Sequence, residues 1–320
     1  MSPTTPYPPL PTEIFLAIGD LLEIRDLSAL SRTCWLFRYV FTLPLFRRVR
    51  ESLSTSLFRI MQSNNNVRLL TYLLDEGLPV DCTMNTGTNP TPLVSTLLHF
   101  AAYSGSDALV RLLLDRGADV SAATTRNTDA QVQRAIANDS EALGADAGST
   151  ALHIAGKYGR EVVATLLIDN GAVVCAAAED GSTPLHWAVC GGHQAMSELL
   201  ISKGADVSAV DRCGRRPLHY AALEGHAVVC ELLISKGANV SIADSDRFAP
   251  IHYAAMSGRA SVARLLIEKG ASVSALAFGG LTPMCFATSE THWAVRQVLL
   301  DSSLASAGET ASLNGGAGRE

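Results

Sequence analysis

The sequence lacks any apolar run near the roughly 18 residues needed to cross a bilayer, so no membrane span is expected. It also lacks an excess of basic charge. With 25 Lys+Arg against 31 Asp+Glu the 320-residue chain carries −6, which argues against an electrostatic grip on nucleic acid. The seven cysteines (34, 82, 175, 190, 213, 230, 285) are odd in number and never form a C-x-x-C pair. Neither a disulfide framework nor a zinc knuckle is expected, and mostly buried, reduced thiols are. No G-x-x-x-x-G-K-[ST], G-x-G-x-x-G after a strand, G-x-S-x-G or H-E-x-x-H occurs. A phosphate cradle, a nucleophile elbow and a zinc protease site are therefore not expected, and the reading is of a protein that is not an enzyme and holds no cofactor or metal. Residues 1–9 are Pro-rich with no basic stretch ahead of an apolar core, so they do not read as a secretory leader; the cytoplasm or nucleus is expected. What is present is an ordinary globular composition, 48% hydrophobic and 18% charged, which excludes wholesale disorder.

A repeat governs most of the chain. His153, His186, His219 and His252 are 33 residues apart, and Cys285 fills the next slot. Gly171, Gly204, Gly237 and Gly270, each followed by Ala, keep the same step. Upstream, His99 to His153 and Gly117 to Gly171 both span 54 residues, so one insertion of 21 lies between those copies. In the unit at Gly181 to Ala209, Pro184 suits the first turn of a helix, where its missing N–H costs nothing. Gly192 splits two short helices, and Gly204 suits a left-handed helix cap. Neither helix is long enough to be stable alone, so neighbouring copies must bury the face of Leu185, Ala188, Leu199 and Leu200.

Thr183-Pro184-Leu185-His186-Trp187-Ala188, repeated with small departures at residues 96, 150, 216, 249 and 282, resembles the ankyrin repeat. The resemblance implies an all-α solenoid of helix–turn–helix units with β-hairpin tips, over residues 54–302. A degenerate copy at 54–82 would precede copies at about 91–121, 148–177, 178–210, 211–243, 244–276 and 277–302. Residues 122–147 form the insertion, which reads as disordered or passive decoration. Residues 303–320, rich in Ala, Ser and Gly, read as a disordered tail.

Residues 10–50 do not keep the 33-residue phase. Pro11 suits a helix start, and Ile14, Ile18, Leu21 and Leu22 fall on one face. Asp26 suits the cap of a second helix carrying Leu27, Leu30 and Cys34. Forty residues in three short helices cannot build a core alone, so they must dock on something. Leu10-Pro11-x-Glu13-Ile14, Leu21-Leu22, Asp26-Leu27, Cys34 and Phe37-Arg38 resemble the F-box. The resemblance implies binding through Leu10, Pro11, Ile14, Ile18 and Leu22 to a Skp-type adaptor that bridges to a cullin. The repeats would then select the target of a ubiquitin ligase. The competing reading is a plain ankyrin scaffold or inhibitor, in which these helices only cap the stack.

The histidine row invites a metal reading, but a 33-residue step gives each imidazole its own backbone neighbours, which points to structural hydrogen bonding. His193 and His226 fit the turn between paired helices. In ankyrin-like units the hairpin tips and the residues after Ala-Ala point away from the stack. Those slots hold Lys157, Tyr158, Glu179, Asp180, Arg212, Arg215, Glu224, Asp246, Phe248, Met256 and Phe278, the candidate residues for an unidentified protein target. Phe248 and Phe278 stand out, because an exposed Phe on a tip has no packing reason to be there. Outside such complexes the chain is expected to be a monomer.

Overall fold

Helices start wherever the Thr-Pro-Leu-His element occurs, because that element satisfies its own first turn. In the computed structural model, which describes residues 66–75, 78–85, 93–126, 147–289 and 292–314, Thr183 precedes a helix at Pro184–Cys190. Its backbone N–H donates to His186 Nδ1 at 3.1 Å, so a donor left orphaned by the helix end is satisfied from three residues on. The residues read as F-box-like, with Leu10, Pro11, Ile14, Ile18 and Leu22, lie outside the described residues, as does 127–146 of the insertion.

Two compact units share the chain, one drawn from residues 1–120 and 125–143, the other from 121–124 and 144–320. In the first, helix α1 (Asn66–Asp75) is followed by strands β1 (Thr83–Asn85) and β2 (Leu93–Thr96), helices α2 (Leu97–Ser104) and α3 (Asp107–Asp115), and strand β3 (Thr125–Arg126). The strands form an antiparallel sheet in the order β1-β2-β3, with Met84 opposite Ser95 and Val94 opposite Thr125. The start of the expected insertion is thus built into a ladder. Leu97, Leu98, Phe100, Leu109, Val110 and Leu113 are fully or almost fully buried, and they form this unit's core.

The second unit is a stack of helix pairs: α4 (Ala151–Lys157) with α5 (Glu161–Asp169), α6 (Pro184–Cys190) with α7 (Gln194–Ser202), α8 (Pro217–Glu224) with α9 (Ala227–Ser235), and α10 (Pro250–Met256) with α11 (Ala260–Glu268). A 3-10 turn at Phe278–Gly280 leads to α12 (Pro283–Phe286) and the long α13 (Trp293–Asn314). First helices pack on first helices, from α4 through α12, and second on second, from α5 through α13. The core repeats with the sequence: Val163, Ala164 and Leu167 are followed by Met196 and Leu200, then Val229 and Leu233, then Val262, Ala263 and Leu266, all buried. Each fully buried Leu contributes about 2 kcal/mol relative to an exposed one.

Two expectations need correction. The tail is helical from 303 to 314, because α13 is nucleated by the packed segment around Val295 and Leu299, and Leu304, Ala305, Ala307 and Glu309 extend it with good helix formers. The thiols are not mostly buried. Cys230 is buried, with its thiol pushed up to about 12 by desolvation. Cys175, Cys190, Cys213 and Cys285 are exposed, since they sit at loops and helix ends rather than on the repeating core face.

Candidate protein-interaction surface

Most interior polar groups of the second unit are consumed by the fold; His292 Nδ1 is buried without a hydrogen-bond partner. His153 Nε2 donates to Ser182 O at 3.2 Å, His186 Nε2 to Arg215 O at 3.4 Å, His219 Nε2 to Phe248 O at 3.1 Å and His252 Nε2 to Ala275 O at 3.1 Å. Nδ1 of each accepts the N–H of the residue three before it. Every imidazole is therefore a neutral ring with its proton on Nε2, joining one repeat to the next. Burial drives His186, His219 and His252 below the ordinary histidine range, only partly offset by their carbonyl partners and nearby carboxylates. His193 Nε2 and His226 Nε2 donate backwards to Lys157 O at 2.9 Å and Cys190 O at 3.1 Å, tying the helix-pair turns together. No group of three or more His, Cys, Asp or Glu among the described residues is placed to hold a metal ion.

Beside the histidines runs a row of rings. Trp187, Tyr220, Tyr253 and Phe286 each meet the histidine of the preceding repeat edge-on, with centroids 5.6 to 6.0 Å apart. The hydroxyls of Tyr220 and Tyr253 donate to Asp211 Oδ2 and Asp244 Oδ2, each at 2.6 Å. Trp187 Nε1 instead donates to Ser182 Oγ, which donates to Asp180 Oδ1. Asp211 is buried. Desolvation acts to raise its carboxyl, but the Tyr220 hydroxyl, the Arg215 backbone N–H and the Arg215 guanidinium prevail and hold it below the usual carboxylate range.

These bonds sort the expected target-contact residues into two groups. Lys157 lies with its ammonium 5.2 Å from the Trp187 ring centre, and Arg215 lies over Tyr220 while its Nε pairs with Asp211 at 2.9 Å. Asp180 is half-buried and bonded to Ser182; Tyr158 and Glu224 are half-buried. Phe248 does not project from its tip. It is half-buried and packs on His252, Tyr253 and Phe286, because the aromatic row beneath it offers a better partner than water. Glu179, Arg212, Asp246 and Met256 are exposed, and Phe278 is 74% exposed.

Hairpin tips are laced together by backbone bonds from Arg212 N to Asp180 O, Ser245 N to Cys213 O and Phe278 N to Asp246 O. At the turn of each tip the backbone is left-handed: Gly148, Gly181, Gly214 and Gly280 have φ between 74° and 82°. A Cβ on Gly181 would come within 3.0 Å of Arg212 N, so close approach as well as conformation selects glycine there. In the fourth slot of the series, between Gly214 and Gly280, stands Arg247, with φ 62°, the only non-glycine at positive φ among the described residues. A left-handed arginine costs roughly 1–2 kcal/mol. Sequence reasoning passed over Arg247, although the 33-residue column Gly148, Gly181, Gly214, Arg247, Gly280 carries the signal.

Comparison with known families agrees with this geometry. A model described as ankyrin repeats (3 copies) matches residues 122–211 and 206–277, and a single ankyrin repeat model matches 95–125. No F-box model matches. No curated protein matches the chain.

Proposed function

From the premise that this chain belongs to the ankyrin repeat family, whose matches run from residue 95 to 277, more than half of its length, we propose that it is a non-catalytic receptor holding a protein target on its repeat tips. We further propose that it presents that target to a cullin-type ubiquitin ligase through residues 10–50. Ankyrin repeats indicate a protein–protein interaction module. The observation that carries the target-holding reading is the division of labour in the second unit, where the repeating His153, His186, His219 and His252 and the Tyr220–Asp211 and Tyr253–Asp244 pairs are hydrogen-bonded within the fold while Arg212, Asp246, Met256 and Phe278 face solvent. The adaptor reading rests on the Leu10-Pro11-x-Glu13-Ile14 pattern and its apolar face, on a segment too short to bury it alone. Such a protein performs no bond chemistry; tethering makes the encounter of target lysine and recruited enzyme effectively intramolecular.

The test is co-purification of the full chain with a Skp-type adaptor. Replacing Leu10 and Pro11 by Ala is expected to abolish it while the thermal transition of the repeats stays in place. If adaptor capture survives the double substitution, the F-box reading is wrong. A collapse of the repeat transition would instead make residues 10–50 a cap and the protein a plain ankyrin scaffold.

A further inference from the structure

Arg247 is strained, exposed and placed where every other described tip turn carries glycine, so its side chain is retained against the conformational preference of the turn. Its surroundings say what it faces. The Ser245 N to Cys213 O bond ties its tip to that of Arg212, and the Phe278 N to Asp246 O bond ties it to that of Phe278. Of the carboxylates on these tips, Asp211 is committed to Arg215, Tyr220 and the Cys213 N–H. Asp244 is committed to Tyr253 and the N–H groups of Asp246 and Phe248. Arg212 and Arg247 make no ion pair among the described residues, which leaves two exposed guanidiniums and one exposed ring on three tips joined by backbone bonds, with the exposed Asp246 as the uncommitted carboxylate among them.

We propose that Arg247, with Arg212 and Phe278, determines target specificity, and that the target presents an acidic protein segment bearing an apolar side chain. Guanidiniums supply paired donors to carboxylates, and an exposed Phe beside them supplies the apolar contact that aromatic hot spots provide. The inference rests on the target-holding reading above and is independent of adaptor binding.

The test uses the purified full chain and two labelled peptides, one alternating Glu with Phe and one alternating Lys with Phe, read by fluorescence anisotropy beside a labelled oligothymidine. The Glu/Phe peptide is expected to bind best, and to weaken as salt is raised. Arg247→Gly should weaken it about tenfold, the effect of losing one strong polar contact, with Arg247→Lys in between. Thermal unfolding of Arg247→Gly should not fall: relief of the left-handed arginine, less the extra backbone entropy that glycine gives the unfolded chain, should raise it by about 1–2 °C. Equal binding of the two peptides, preference for the oligonucleotide, or undiminished binding by Arg247→Gly would overturn the inference while leaving the target-holding reading in place. A lower melting temperature for Arg247→Gly would also overturn it, by making the arginine structural. Failure of the wild-type chain to bind either peptide would overturn both.

Discussion

The Nε2–H of His219 donates to the carbonyl of Phe248, 29 residues away, while Nδ1 of the same ring accepts the N–H of Arg216. One side chain thus ends a helix and fastens the next repeat to it. Replacing His219 by Ala leaves the part-buried Arg216 N–H without its acceptor and removes one of the two donors to the Phe248 carbonyl, which keeps only the Asp244 N–H, at a cost of about 2 kcal/mol. The melting temperature is expected to fall by about 5 °C in thermal denaturation, with no response to a chelator. Stoichiometric zinc that disappears with the substitution would show that the ring binds metal instead.

The same tautomer makes the fold sensitive to acid. Burial holds His186, His219 and His252 below the ordinary histidine value of 6.5, so the unfolded chain protonates these rings before the folded one does. Their contribution to stability is complete above pH 6.5 and is lost as pH falls through the folded values. Asp211, held below its ordinary 3.8, adds stability that disappears only in a separate, more acidic window. Urea midpoints from pH 8 to pH 4 should be flat at first and then decline below about pH 6.5. His219→Gln, with a neutral amide in place of the ring, should shallow that decline. An unchanged slope would remove the histidine row as its cause.

The repeat was legible because its physics is local and periodic. A histidine that caps its own helix must sit three residues from the cap, and a glycine that closes a helix must follow the last turn, so both recur at fixed phase. Burial of Leu185 and Leu200 followed from the apolar face of the helix that carries each. The tips were only partly legible. Exposure there depends on contacts across repeats, such as Lys157 over Trp187 and Phe248 over Phe286, which the position of a residue on its own hairpin does not encode. The helical stretch from 303 to 314 was missed for a related reason: its Ala and Ser content resembles a linker, and only the packed helix before it makes extension cheap.

Phe248 and Phe278 look equivalent in the sequence, each at a hairpin tip, and the structure separates them. Phe248 rests on Tyr253 and Phe286 with ring centres 5.8 and 5.4 Å away, and its carbonyl accepts from His219. Removing the ring should cost about 2 kcal/mol, less than for a fully buried Phe because part of it already meets water. Phe278 is 74% exposed, so Phe278→Ala should change stability by no more than about 0.5 kcal/mol. Chemical denaturation of the two single variants measures the difference directly. Arg212→Glu combined with Phe278→Ala, rather than with Phe248→Ala, is therefore the pair that strikes binding without touching packing. It should abolish capture of the Glu/Phe peptide and leave the urea midpoint where it was. Equal destabilisation by Phe248→Ala and Phe278→Ala would mean that the Phe278 ring is packed in solution, and it would remove that ring from the binding face.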